Sequence, residues 1–279
     1  MAKVYEALRR AEEERKRKAS GVSSHVGAVE WDPSPQSAPR VNRSFLKRLL
    51  SKQPMRLDTA SELNKRRISL LQPDSFVAEQ FRTLRTRIDS AAAERPIKTI
   101  AVTSANAGDG KSTAALNLAL VTAMSVGRQV LLIDCDMRRP RVHRSLGLEP
   151  RAGLAEILVE ESTLDEAVMK VEGLNLDVLC VRTQPRNPSE LLASEQMRSL
   201  VEEAGRRYDR VILDTPATLG LPDSKTVSEL CDGIVMVVRA GRTPREDIVV
   251  ALEILERDRV LGLVMNGASQ GAERYSYYA

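Results

Sequence analysis

The spacing of apolar residues along this chain changes period several times, and each change marks a predicted element. From Lys98 to Leu120 the sequence reads KTIAVTSANAGDGKSTAALNLAL. The β-branched run Thr99 to Thr103 predicts a buried strand, a small Gly-containing loop follows, and Lys111 opens an Ala/Leu-rich helix. Gln129 to Asp136 (QVLLIDCD) predicts a second buried strand. Beyond it the pattern predicts helices at Leu154 to Glu161 and Leu164 to Lys170, a strand at Leu176 to Val181, and a long helix from Ser189 to about Arg207. Asp209 to Thr215 is the next strand, followed by a helix over 223–232, a strand at Ile234 to Val238, a helix at Arg245 to Arg257 and a last strand at Val260 to Met265. Strands alternating with helices predict an α/β fold with a doubly wound, mostly parallel sheet.

Upstream, Asp74 or Ser75 is placed to cap a helix from Phe76 to about Ala93, with Phe76, Val77, Phe81, Leu84 and Ile88 as its apolar seam. Glu79, Arg82 and Arg85 recur every three residues as a charged stripe, either a solvated face or a surface for pairing. Residues 3–18 predict a helix with a narrow seam of Val4, Ala7, Leu8 and Ala11, solvated or docked on a partner or membrane surface. From Ala19 to about Gln72 the Ser, Pro, Gly and Lys/Arg content predicts a largely disordered linker. Phe45, Leu46, Leu49 and Leu50 form one short basic-amphipathic patch inside it. The expected organisation is a basic extension over 1–72, one α/β domain over 73–268 and a tail over 269–279.

The stretch Ala105-x-x-x-x-Gly110-Lys111-Ser112 fits a phosphate-binding P-loop with Ala in place of the first Gly. Gly108 and Gly110 permit close backbone approach, the helix N-terminus offers free N–H groups, Lys111 supplies a point charge and Ser112 a hydroxyl for magnesium. Asp134, Asp136 and Asp214 fall at or just beyond the carboxyl ends of predicted strands, where open α/β sheets bind ligands. A carboxylate buried there without a partner is costly, so magnesium or its waters is the natural partner; capping a following helix is the plainer reading.

Composition narrows the picture. Residues 1–70 hold 16 Lys/Arg against 8 Asp/Glu, a net +8, and the remainder 26 against 30, a net −4. The basic extension thus suits anionic lipid, an acidic partner or nucleic acid. Aromatics are only 3%, which argues against base-stacking platforms, so no nucleic-acid partner is expected. Cys135, Cys180 and Cys231 lie in apolar runs without metal-ligand spacing and read as core thiols of a reducing compartment. Neither a membrane-length apolar run nor a signal-peptide pattern is visible, so a cytoplasmic protein is expected.

These motifs together resemble the bacterial tyrosine kinases of capsule and exopolysaccharide synthesis, over about residues 73–279. SANAGDGKST resembles the family's Walker A motif, VLLIDCDMRRP its Walker A′ and VILDTPA its Walker B. Glu79, Arg82 and Arg85 match its E-x-x-R-x-x-R oligomerisation motif, and Tyr275, Tyr277 and Tyr278 its C-terminal tyrosine cluster. The resemblance implies a P-loop NTPase fold and an ATP- and Mg2+-dependent protein-tyrosine autokinase that regulates polysaccharide synthesis and export. Nucleotide would lie on Ala107, Gly108, Asp109, Gly110, Lys111, Ser112 and Thr113, with Asn266 on the adenine side. Ser112, Asp134 and Asp214 would hold magnesium or its water shell, Asp136 would be the base for the tyrosine hydroxyl, and Tyr275, Tyr277 and Tyr278 would be acceptors. Arg138 or Arg139 would neutralise transferred charge, while His143 reads as a surface or packing residue.

By the same resemblance the chain forms an octameric ring through Glu79, Arg82 and Arg85. It works at the inner face of the membrane with a separate polysaccharide co-polymerase, since no membrane regulator domain is fused to it. The tyrosine cluster is shorter than in many relatives. Two rivals share the motifs: a switch ATPase of the division-site or plasmid-partition class, and an ATP-sensing adaptor without kinase activity. The ATPase class carries a signature lysine five residues before the P-loop lysine, where this chain has Asn106.

Overall fold

A computed structural model describes residues 74–268. The predicted helix and patch upstream, and Tyr275, Tyr277 and Tyr278, lie outside the described residues. Ser75 caps α1 (Phe76–Glu94), its hydroxyl accepting from the Ala78 amide at 3.2 Å. The inward stripe of α1 runs Ala78, Phe81, Arg85, Ile88, a three-four-three spacing that places Arg85 on the packed side. Val77, expected in the seam, is exposed because Ala78 takes the inward position.

Seven strands form one sheet: β1 (Thr99–Ser104), β2 (Val130–Asp134), β3 (Val168–Lys170), β4 (Leu176–Leu179), β5 (Arg210–Asp214), β6 (Gly233–Arg239) and β7 (Val260–Asn266). The order is β3-β4-β2-β5-β1-β6-β7, and only the β3–β4 pairing is antiparallel. Alternate residues of the central strands feed two cores. Ile100, Val102, Leu132, Ile212 and Val235 pack under α1, α2 (Lys111–Ala123) and α3 (Val142–Leu146). Ala101, Leu131, Ile133, Leu213 and Met236 pack under α4 (Leu154–Leu158), α5 (Leu164–Ala167), α6 (Pro188–Leu192), α7 (Glu195–Arg207), α8 (Asp223–Ser228) and α9 (Arg245–Ile254). The sheet is therefore covered on both faces, as its unbroken apolar strands require. Every residue of α2 from Ala114 to Ala123 is buried, because the helix lies between the sheet and α1.

Several predicted elements differ, among them the helices expected over Leu154 to Glu161 and 223–232, which stop at Leu158 and Ser228. The helix expected over Leu164 to Lys170 ends at Ala167, and Val168–Lys170 becomes the edge strand β3. Gly173, at φ +74°, turns the chain back and the Val171 amide bonds the Leu176 carbonyl at 2.9 Å, so a hairpin wins over the helical period. The long helix expected from Ser189 is two helices, because the Ser194 hydroxyl donates to the Leu191 carbonyl at 2.7 Å and accepts from the Met197 amide at 3.2 Å. Ser194 thus closes one helix and caps the next. The helix expected to reach Arg257 stops at Ile254, and a short 3-10 turn occupies Arg257–Arg259.

Candidate active site

The carboxyl ends of β1, β2 and β5 are neighbours in the sheet, with Asp134 directly opposite Asp214 in register. The site is built from the loops that leave these three strands. After β1 the loop over 105–110 turns at Gly108 (φ +92°) and Gly110 (φ +105°), the latter standing at the N-cap of α2 and offering it no side-chain cap. The first-turn amides of α2 are therefore available to an anion. Asp109, almost fully buried, accepts from the Asn106 amide at 3.1 Å and ties the loop to itself. Asn266, at the end of β7, donates through Nδ2 to the Asp109 carbonyl at 2.7 Å. A Cβ at Gly110 would lie 2.0 Å from that same Nδ2, so the loop fits only a glycine there.

Lys111 Nζ lies 2.9 Å from Asp136 Oδ2, with both side chains almost buried. Burial lowers the lysine's pKa, but Asp214, Asp136 and Asp134 outweigh it and the net shift is upward, so Lys111 remains a cation. The second Asp136 oxygen accepts from the Arg139 amide at 3.0 Å. Asp134 is fully buried and spends both oxygens on the loop after β2: Oδ1 accepts from the Asp136 amide, Oδ2 from those of Arg141 and Val142. Burial first, and then the facing Asp214, push its pKa upward.

Asp214 is different. It is fully buried, and neither oxygen has a hydrogen-bond partner of good geometry among the described residues. Burial raises its pKa, while the Lys111 charge and the nearby Ser112 hydroxyl hold that rise back. An orphaned carboxylate beside a hydroxyl, a lysine and an uncapped helix terminus fits magnesium carried with nucleotide phosphates, a cation that keeps several waters and takes few protein ligands. Asp214→Asn is expected to raise the Tm of the nucleotide-free protein by about 3–8 °C, since it removes a buried charge that lacks a hydrogen-bond partner among the described residues. Calorimetry checks this, and an unchanged or lower Tm would show that the charge is already compensated.

The remaining predicted residues separate. Arg138 bonds Asp223 (3.0 Å) and Ser189 (2.8 Å), while Arg139 is exposed. Arg141, which sequence reasoning passed over, is the arginine whose charge acts on Asp214. Burial and the neighbouring Arg144 lower the pKa of His143, and its Nδ1 is buried without a hydrogen-bond partner among the described residues. Thr113, in the first turn of α2, receives the Asn117 side chain on its carbonyl at 2.8 Å. Glu79 pairs with Arg82 on α1, whereas Arg85 donates to the Val121 carbonyl at 2.8 Å and to Ser125 Oγ at 2.6 Å. Sequence reasoning also missed a brace below the site, the buried hydroxyls of Thr103, Thr215, Thr218 and Ser224, where Thr103 and Ser224 lie 2.8 Å apart. Their one local signal is a cluster of small hydroxyl residues at and just beyond the ends of β1 and β5.

A family model described as an AAA domain matches residues 97–242, the span from β1 through β6 that holds these groups. Tyrosine-protein kinase YwqD of Bacillus subtilis (strain 168) is 40% identical over 227 residues, covering 80% of this chain and 95% of that protein. The chain belongs to the bacterial tyrosine-protein kinases. As a member of that family it is a protein-tyrosine kinase. The kinase domain of Escherichia coli tyrosine kinase ETK superposes with a TM-score of 0.70 at 30% identity, over 76% of this chain and 84% of that one. The kinase is also 33% identical over 226 residues to the succinoglycan biosynthesis transport protein ExoP of Rhizobium meliloti (strain 1021), covering 76% of this chain but 29% of that protein. Among the described residues of this kinase, no helix is long and apolar enough to cross a membrane.

Proposed function

We propose that this kinase uses ATP and Mg2+ to phosphorylate Tyr275, Tyr277 and Tyr278 of a neighbouring copy of itself, and that this reaction regulates capsule or exopolysaccharide synthesis and export. The observation that carries the reading is the convergence of Lys111, Ser112, Asp136 and the unpartnered Asp214 at one sheet edge. In phosphoryl transfer the protein mainly positions groups and offsets charge. Lys111 and the α2 amides would take the phosphates, and Ser112 and Asp214 would hold magnesium, which supplies charge neutralisation when bound. Asp134 is bonded to three loop amides, so its support of the metal would be through the shape of that loop. Asp136, freed from Lys111 by incoming phosphate, would accept the tyrosine proton. A carboxylate suffices for a phenol of pKa about 10 because deprotonation need not be complete before a loose transition state.

β7 runs parallel to β6 and β1 and ends at Asn266 against the P-loop, so the chain leaves that strand at the nucleotide edge. From Ala268 to Tyr275 is about 25 Å fully extended, enough to reach its own site or a neighbour's. Mixing Lys111→Met chains, which keep their tyrosines, with chains whose three tail tyrosines are Phe is expected to put phosphate on the Lys111→Met chain. A blank anti-phosphotyrosine blot would exclude transfer between copies, and no ATP-dependent signal from wild type would favour an ATPase or an adaptor.

The proposed assembly is a ring, with a separate membrane co-polymerase recruiting the basic residues 1–70 and so placing the kinase at the inner membrane face. Glu79 and Arg82 carry the ring contact in this reading, because Arg85 already bonds the C-terminal end of α2. Glu79→Ala with Arg82→Ala is expected to give monomers in light scattering at an unchanged Tm, and an unchanged mass would remove the interface. Arg85→Ala is expected to lower stability by about 1–3 kcal/mol in denaturant unfolding, since it orphans a carbonyl of a buried helix.

A further inference from the structure

A P-loop binds phosphate with its amides turned inward, which leaves its carbonyls pointing outward and in need of partners. In this kinase the end of β6 supplies one partner and the end of β7 another. Arg239, the last residue of β6, donates from Nη1 to the Gly108 carbonyl at 3.1 Å. Asp247, in the first turn of α9, accepts from Asn106 Nδ2 at 2.6 Å. Arg242 has its guanidinium against Gly108, 3.5 Å from where a Cβ would stand, and forms no hydrogen bond or ion pair through that guanidinium among the described residues. The segment is itself rigid: the Arg239 amide bonds Thr243 Oγ1 at 2.9 Å, and the amides of Arg242 and Thr243 return to the Arg239 carbonyl at 3.1 and 3.0 Å. Gly241, at φ +68°, makes that tight turn possible and brings both arginines to the P-loop side.

We propose that the β6–α9 loop sets nucleotide affinity from outside the P-loop, with Arg239 as a positioning residue that fixes the Gly108 peptide and Arg242 as an unpaired cation beside the phosphates. Neither arginine belongs to the Walker segments. The inference rests on the nucleotide reading above, and the experiment separates the two. Fluorescent ATP analogue is titrated with Mg2+ into the full chain and its Arg239→Gln, Arg239→Lys and Arg242→Gln variants, with KM and kcat for ATP measured alongside. Arg239→Gln is expected to weaken binding and raise KM about tenfold with a smaller fall in kcat, because a charged donor to a carbonyl is lost. Arg239→Lys restores most of the affinity, since one N–H is enough for that carbonyl. Arg242→Gln weakens binding about threefold at low salt, an effect that fades near 0.5 M KCl because exposed charges are screened.

Affinity of Arg239→Gln within twofold of wild type would overturn the inference, as would a Lys variant as weak as the Gln variant. If Arg239→Gln does not fold, Arg242→Gln decides, and wild-type affinity in it at every salt concentration overturns the inference. Wild type that fails to bind the analogue would instead overturn the nucleotide reading itself.

Discussion

Lys111→Met should cut ATP-dependent tyrosine phosphorylation by about 10³-fold, the cost typical of losing a fixed donor to developing charge. Lys111 is the cation that faces Asp136 at 2.9 Å and whose charge also acts on Asp214. Methionine keeps the length and the apolar stem but leaves three acids without that cation. Asp134 and Asp214 already have raised pKa values, so the pocket can take up a proton in place of the ammonium instead of unfolding. The fold is therefore retained, with a Tm lower by only a few degrees. Phosphorylation at the wild-type rate, measured by phosphotyrosine blot on chains of confirmed circular dichroism, would remove Lys111 from the phosphate site.

Gly110→Ala is the second large effect. At φ +105° an alanine is strained by about 1–2 kcal/mol, and its Cβ would lie 2.0 Å from Asn266 Nδ2. Asn266 must then swing away and give up the Asp109 carbonyl it holds at 2.7 Å, so the loop loses one of its outer bonds. Strain and lost bond together come to about 3 kcal/mol, which predicts nucleotide affinity weaker by about 100-fold. Adding Asn266→Ala relieves the overlap but not the backbone strain, so the double variant is expected to regain thermal stability without regaining affinity. Binding by Gly110→Ala within about threefold of wild type would show that the loop adapts at a cost below the roughly 1.4 kcal/mol of a tenfold change.

The parts of this site that lie within one strand-loop-helix unit could be read from the sequence, and the parts contributed by distant loops could not. Gly108, Gly110, Lys111 and Ser112 announce themselves because one short spacing carries both the turn and the charge. Asp134 and Asp214 were legible as acids at strand ends, yet their different fates were not: three amides from the loop after β2 satisfy one, and nothing among the described residues satisfies the other. The direction of Arg138 depended on Asp223, 85 residues away and buried at the start of α8. In the fold, the strand order was beyond any local pattern, and at two of the misread elements a turn glycine or a capping serine overrode periodicity. Ser194 stands where the apolar spacing alone continues a helix, and Gly173 turns the chain just past a stretch read as one.

The bond from Asn266 to Asp109 spans 157 residues, and those from Arg239 and Asp247 span 131 and 141. On a ribosome adding about 5–20 residues per second, roughly 10–30 s pass between synthesis of the P-loop and synthesis of the strand that clasps it. During that interval the nascent chain carries the phosphate motif with its outer carbonyls unbraced. The outer bracing of the loop is therefore completed only by the last strand of the sheet to be made.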